Sequence, residues 1–374
     1  MKILMISIIS PENEGRFIRA IENLCYEHEV TILVPKSSIE IEKIKVFSLD
    51  CDMPYGFFAQ IRFLAKVLKQ KKMLQQGCFD LIYISNYTAT IYAYFLLKHI
   101  KIRYIVYDAY ELLTKTCNEK ASLREKIYMY FESKLVYKAN IIIAANYNRA
   151  LLMQGYYRLD NTPLVVNNIP RIVDYKFIDE LYNKKLCKKK EKIFIIYAGY
   201  ISITRNIDKL IDAVGDLGDE YELNIYGSGP NNDKLNEQVI SKGYHNINIH
   251  GKYIQEKLHE ILSQSDIGFI SYPNKGLNNI FCEPNKINDY ANYLVPMIST
   301  PHVTLDKVLQ EEGIGITNEN LKIAIKEIEN NLSKYIKACK DYNNRHIRND
   351  QGQKVLYAIF EMERESVKKF EQNN

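Results

Sequence analysis

The sequence contains no tryptophan, and its 16 glycines and 10 prolines among 374 residues exclude a collagen-like or low-complexity chain. Charge of one sign is also scarce. Lys+Arg 50 against Asp+Glu 45 leaves a formal net charge of +5, too little to argue for nucleic acid unless it gathers on one face. The seven cysteines (Cys25, Cys51, Cys78, Cys117, Cys187, Cys282 and Cys339) are odd in number and scattered, with no paired CxxC spacing. That pattern argues against a disulfide framework or a zinc site and fits a reducing compartment. Long apolar runs are missing too. The stretch from Ile91 to Leu97 falls far short of the ~20 residues that span a bilayer. The opening run to Ile9 meets Ser10, Pro11 and Glu12 with no small-residue cleavage site, so it reads as a buried strand rather than a signal peptide. No GxGxxG occurs, which removes the main support for a dinucleotide dehydrogenase.

What is present is ordinary globular material, 47% hydrophobic and 25% charged, long enough for two domains. Short β-branched runs alternate with helical patterns, the mark of a parallel sheet with crossover helices. The first half offers strands at Ile3–Ile9, Val30–Val34, Ile44–Phe47, Leu81–Ile84, Tyr104–Tyr107, Ile141–Ala144 and Leu164–Val166. Helical patterns lie at Gly15–Leu24, Phe57–Leu74, Thr88–Leu97 and Leu123–Tyr137. Several strand runs are apolar throughout, as expected where both faces are covered. A lysine-dense stretch, 181–192, reads as a solvated linker. The run Ile193–Gly199 then restarts the rhythm, with strands at Glu222–Tyr226, Ile247–Ile249, Ile267–Ile270 and Met297–Ser299. An amphipathic helix, Gln353–Phe370, closes the chain. The expected architecture is α/β: a doubly wound, Rossmann-like domain over 1–180, a second over 193–350, and a terminal helix in 351–374 able to pack back on the first. Ligands of such sheets bind beyond the carboxyl ends of the strands, so a cleft between two facing domains is the natural site.

Four features could carry chemistry. Gly15 opens a helix directly after the first strand run, where backbone N–H groups favour an anion. Gly199 ends the strand that restarts the pattern, and Arg205 stands on the loop after it, able to fork onto a phosphate. Gly227 and Gly229 make a tight turn after the next strand. Glu283, Pro284, Asn285, Lys286 and Asp289 open a helix on which Glu283, Lys286 and Asp289 share a face by their spacing. Taken singly, each reads equally as a turn glycine, a solvated arginine or a helix cap with a surface ion pair.

Their order and spacing resemble the GT-B glycosyltransferases of the large retaining family, the glycosyl transferases group 1 type, that builds bacterial capsule, lipopolysaccharide and exopolysaccharide. The resemblance spans nearly the whole chain and is strongest from Ile193 to Ser299. It rests on Tyr197-Ala198-Gly199 with Arg205, on Gly227-Ser228-Gly229, and on Asn246 to Gly251 followed by Lys252, Tyr253 and Ile254. It continues through Pro284-Asn285-Lys286 with Asp289-Tyr290, and Pro296-Met297-Ile298. In the first half, Tyr107-Asp108-Ala109-Tyr110-Glu111 is similar to the family's Tyr-Asp-x-His-Glu segment, and Ala144-Ala145-Asn146 takes the place of a strand end.

The resemblance implies a nucleotide-sugar donor, UDP- or GDP-linked, and a glycan or lipid-linked saccharide acceptor. It also implies a hexosyl- or N-acetylhexosaminyl-transferase acting with retention, with no metal and no cofactor, a donor phosphate oxygen taking the acceptor proton. By position, Arg205 and Lys286 meet the diphosphate, Gly251 to Ile254 the nucleobase, and Asp289 the ribose. Glu283, after the Asn279–Phe281 loop, faces the sugar. Gly15 and Asp108–Glu111 stand near the leaving phosphate and acceptor. Gly199, Gly227, Gly229 and Asn285 complete the candidate donor site. Phe281, Asp289, Leu294, Tyr200 and Tyr110 depart from the family pattern, and Phe281, Tyr110, Tyr200 and Leu294 support a second reading, a catalytically weak or inactive partner subunit for another transferase. A sugar-nucleotide epimerase on the same plan lacks histidines in the right loops. Asp50-Cys51-Asp52 fits a metal-dependent Asp-x-Asp site, but that fold leaves the restart at Ile193 unexplained. Finally, Phe57–Leu74 sets Arg62, Lys66 and Lys69 on one stripe, with Lys71 and Lys72 beside it and Phe57, Phe58, Ile61, Leu64 and Leu68 as its apolar face. Such a helix suits an anionic membrane surface, giving a cytoplasmic protein peripheral to the inner face of the membrane.

Overall fold

The computed structural model describes residues 1–374 apart from 40–43, 55, 116–118, 171–172, 188–190, 254–256, 348–350 and 373–374. It divides into two compact units, Met1–Asn168 with Asp350–Asn374, and Ile169–Asn349. The first holds β1 (Lys2–Ile6), β2 (Glu29–Val34), β3 (Lys45–Ser48), β4 (Leu81–Ser85), β5 (Tyr104–Ala109), β6 (Ile141–Ala144) and β7 (Leu164–Val165). They form one parallel sheet in the order 3-2-1-4-5-6-7. The second holds β8 (Ile193–Ala198), β9 (Tyr221–Tyr226), β10 (Ile247–Gly251), β11 (Ile267–Ile270), β12 (Met297–Ser299) and β13 (Gly315–Thr317), in the order 10-9-8-11-12-13. In both sheets the order reverses beside the first strand, β1/β4 and β8/β11. These are the topological switch points where doubly wound sheets place ligands.

The apolar runs follow from two covered faces. Along β8, Ile195 and Tyr197 pack with Leu210, Ile211 and Val214 on one side of the sheet, while Ile196 and Ala198 pack with Ile287, Tyr290 and Leu305 on the other. In the first unit Ile3, Met5, Phe17 and Ile21 share a core with Val355, Leu356 and Ile359 of the terminal helix Gln351–Gln372.

Three expectations are corrected. The unit boundary falls at Asn168/Ile169 rather than 180. The stretch 181–192 is not a bare linker, because its first part belongs to the helix Tyr175–Cys187. Ile178 and Leu181 of that helix lie in the second core, and the buried Lys185 donates from Nζ to the carbonyls of Ser265 (2.7 Å) and Leu294 (3.2 Å). The helical stretch from Phe57 breaks at Gln70 into Phe57–Lys69 and Lys71–Gln76. Its buried side chains are Phe63, Val67 and Leu74, leaving Phe57, Phe58 and Ile61 exposed.

Candidate functional site

The candidate residues of the second unit collect at the carboxyl ends of β8, β9, β10 and β11. The loops there are laced by backbone hydrogen bonds, Gly199 N–H to Tyr226 (2.8 Å), Ile201 N–H to Ser228 (3.1 Å) and Gly227 N–H to Gly251 (2.7 Å). Their closeness explains the glycines. A Cβ on Gly227 would fall 1.8 Å from the Gly199 carbonyl oxygen, and one on Gly229 would fall 1.9 Å from that of Ile201. Gly227 and Gly229 are therefore required by packing of the β9 loop on the β8 loop, independent of any ligand. Gly199 adopts φ +150°, and a Cβ there would meet Lys286 Nζ at 2.5 Å. This glycine does open room for a functional side chain.

Arg205 leaves the β8 loop just before Asn206, which takes the left-handed φ of 50° at the start of the helix Ile207–Gly215. The Asn206 amide donates to Ser271 Oγ (2.9 Å) and Thr300 Oγ1 (3.3 Å), tying the loop to the ends of β11 and β12. Arg205 donates from Nη1 to the Ser271 carbonyl at 3.0 Å, and its guanidinium carbon lies 3.6 Å from the ring centroid of Tyr272. Lys286 Nζ is 5.4 Å from the Tyr197 ring and 5.8 Å from the same Tyr272 ring. Among the described residues, no carboxylate pairs with Arg205 or Lys286. Burial, then the charge of Arg205, pulls the Lys286 ammonium down to about 8. Two cations at a switch point, held by aromatic faces and a carbonyl, are an arrangement able to attract a polyanion.

The helix Asn285–Asn292 begins after Pro284, with Lys286 and Asp289 on its first turns. Glu283 precedes that helix, so the shared face expected for Glu283, Lys286 and Asp289 holds only for the last two. Glu283 acts instead on Tyr342, whose hydroxyl its charge pushes up, burial being the larger cause. Asp289 likewise adds to burial in raising Tyr253, which places the two close together. Tyr253 meets Tyr226 edge-on at 6.2 Å, and His250 stacks flat on Tyr226 at 4.3 Å. Ile254 lies outside the described residues.

In the first unit Gly15 starts the helix Gly15–Leu24 at the end of the β1 loop. Asp108 is held inside the first unit rather than exposed at a strand end. It accepts from Arg16 Nη2 (2.7 Å) and Nε (3.1 Å) and from the Tyr83 hydroxyl (2.5 Å), and it is 2% exposed. Tyr110 donates to Ser85 Oγ at 3.0 Å, and the Arg16 guanidinium lies 5.2 Å from its ring. This cluster ties the first helix to β4 and β5. Leu294, a departure from the family's glycine, takes φ +56° with its side chain fully buried. The glycine pattern at this position marks a left-handed helix end; it says nothing about the donor. Tyr272 was missed by the sequence reading. A tyrosine two residues past a strand, in a chain with 29 tyrosines, carries no signal of its own.

Two Rossmann-like domains in one chain, the second with cations at its switch point, define the GT-B class of transferase fold. Residues 179–294 match the family model "Glycosyl transferases group 1". Among solved structures it is similar to sucrose-phosphate synthase from Thermosynechococcus elongatus (12% identity, TM-score 0.68, covering 100% of this chain and 98% of that one). It is also similar to HepE of Anabaena in complex with UDP and glucose (15%, 0.66, 96% and 100%), and to WaaG, a glycosyltransferase involved in lipopolysaccharide biosynthesis (12%, 0.65, 95% and 98%). At these identities the likeness is one of fold. A search of the curated proteins finds no match.

Proposed function

We propose that the protein transfers a sugar from a nucleoside-diphosphate donor to a hydroxyl of a glycan or lipid-linked saccharide, with retention, in the assembly of a surface polysaccharide. The observation that carries this reading is the convergence of Arg205 and Lys286 at the β8/β11 switch point, with no acid ion-paired to either among the described residues. Cleaving the sugar–phosphate bond puts negative charge on the departing diphosphate, and fixed cations aimed there lower the barrier without a metal. In this reading Asp289 accepts from the ribose hydroxyls, Tyr253 lies against the base, Asn285 and the helix it opens face the phosphates, and Glu283 borders the sugar. The UDP held by HepE favours a uridine donor.

The exposed surface of the first unit supports a membrane-borne acceptor in this reading. Between Asp52 and Asp80 the chain has no acidic residue. Phe57 (67% exposed), Phe58 (75%) and Ile61 lie outward beside the exposed Arg62, Lys69, Lys71 and Lys72. Lys66, half-buried, donates to the Asp50 carbonyl and is the weakest member of the set. No described helix is long and apolar enough to cross a membrane, so the contact is interfacial.

The test is product detection. The protein is incubated with UDP- and GDP-sugars and lipid-linked saccharide acceptors, with and without EDTA, and the new linkage is read by NMR. An α-linked product from an α-linked donor, formed in EDTA, supports the reading. Tight nucleotide binding with no transfer to any acceptor turns it toward a partner subunit, a reading already favoured by the closed state of Asp108.

A further inference from the structure

Two like charges share one ring at this site, and something must hold them there without cancelling them. The Arg205 guanidinium carbon lies over Tyr272, 3.6 Å from its ring centroid, which is van der Waals contact, and Lys286 Nζ approaches the same ring to 5.8 Å. A carboxylate in this position would hold both cations equally well, but it would occupy their N–H groups and repel an arriving diphosphate. An aromatic face attracts cations through its quadrupole while adding no net charge, and a stacked guanidinium keeps its N–H edge for hydrogen bonding. Among the described residues, the Ser271 carbonyl alone takes a hydrogen bond from that edge.

The ring has its own support. His302 lies 6.5 Å from it, edge-on. That histidine is buried, accepts from Leu305 N–H at Nδ1 (3.3 Å), and donates its backbone N–H to Asp306 (2.9 Å). Asn274, two residues beyond Tyr272, donates to the Pro301 carbonyl (2.9 Å) and accepts from Val303 N–H (3.3 Å). The loop carrying the ring is thus fastened to the loop carrying its neighbour.

We infer that Tyr272 is a positioning residue for the diphosphate, a neutral stand-in for a counter-carboxylate that presents Arg205, and secondarily Lys286, to the anion. The inference rests on the proposed nucleotide-sugar reading. Calorimetric titration with UDP of the full chain and of Tyr272→Phe, Tyr272→Leu and Tyr272→Gln tests it, each variant repeated in an Arg205→Ala background. Tyr272→Phe keeps the face and is expected to bind within about twofold of the parent, whereas Leu and Gln lose roughly tenfold. In Arg205→Ala the same losses shrink to less than twofold, because the ring acts through the arginine. Two ringless variants guard against one that does not fold, and thermal melts check both. Equal binding by parent and ringless variants overturns the role of Tyr272 while leaving the nucleotide reading intact. An undiminished loss in the Arg205→Ala background also overturns it. A parent that binds no UDP, GDP, ADP or CMP overturns both.

Discussion

Nucleotide binding at this site should take up a proton, and Lys286 is the reason. Its ammonium is drawn down to about 8 by burial and by Arg205, with Asp289 opposing. Arg205 on the β8 loop, Tyr197 on β8, and Tyr272 beyond β11 face it, and Cys282 stands before its own helix. A diphosphate beside the ammonium favours the charged form and raises that value. The bound state therefore holds a proton that the free protein has lost above pH 8. Affinity is level below pH 8 and then falls by about tenfold per pH unit until the bound value is reached. From pH 7 to pH 9 the dissociation constant of UDP should weaken by about tenfold. The nucleotide contributes little, since a terminal phosphate whose second pKa is near 6 is about nine-tenths ionised by pH 7. Calorimetry at pH 8 in two buffers of different ionisation enthalpy counts the protons directly, and about half a proton per UDP is expected. Lys286→Arg stays charged throughout, so it should bind UDP with no pH dependence over this range. A dissociation constant that is flat from pH 7 to pH 9 in the parent protein would refute the reasoning.

Three other changes follow from buried groups. Glu132 accepts from the Tyr107 and Tyr157 hydroxyls at 2.5 and 2.6 Å, and burial pushes its carboxyl up to about 7. The folded state thus keeps a proton that the unfolded chain loses, and stability declines as pH rises from the ordinary carboxyl range to about 7. Glu132→Gln should leave denaturant midpoints near pH 5 little changed and raise stability at pH 8 by up to about 3 kcal/mol. Asp108→Asn removes the charge from a buried ion pair with Arg16; a loss of about 3–5 kcal/mol in urea unfolding of the first unit is expected, with UDP binding by the folded protein unaltered. Leu294→Gly relieves a left-handed φ, a gain of about 1 kcal/mol. It also empties a fully buried side-chain site, a loss of about 3–5 kcal/mol. Net destabilisation in a thermal melt is the expected sign, although glycine is the family's residue.

These cases show what could and could not be read from the chain. Strands such as Ile193–Ala198 were legible because both faces are covered, so their apolar runs are unbroken. Strand β13, Gly315–Thr317, has three residues and no such run. The Lys184 and Lys185 pair sits in a lysine-rich stretch that looks solvated, yet Lys185 caps two carbonyl ends inside the second core. Phe57, Phe58 and Ile61 are legible as an apolar face suited to a membrane surface, but nothing in the spacing marks Phe63 and Val67 as the side chains that turn inward. At the site itself, Arg205 and Lys286 were visible as spaced motif residues. Tyr272, which brings them to one place, became visible only when β11 ended beside β8. Gly227 and Gly229 look the same in sequence whether a ligand or another backbone needs the space, and here it is the backbone of Gly199 and Ile201.

The central claim is a diphosphate site built on Arg205. The most direct test is titration of the purified chain and of Arg205→Ala with UDP, GDP, ADP and CMP, with and without EDTA. Binding of one nucleoside diphosphate that is indifferent to EDTA and weakened at least about tenfold in Arg205→Ala is the predicted result. Binding that is unchanged by loss of the arginine would contradict it, as would no binding of any nucleotide by the parent chain.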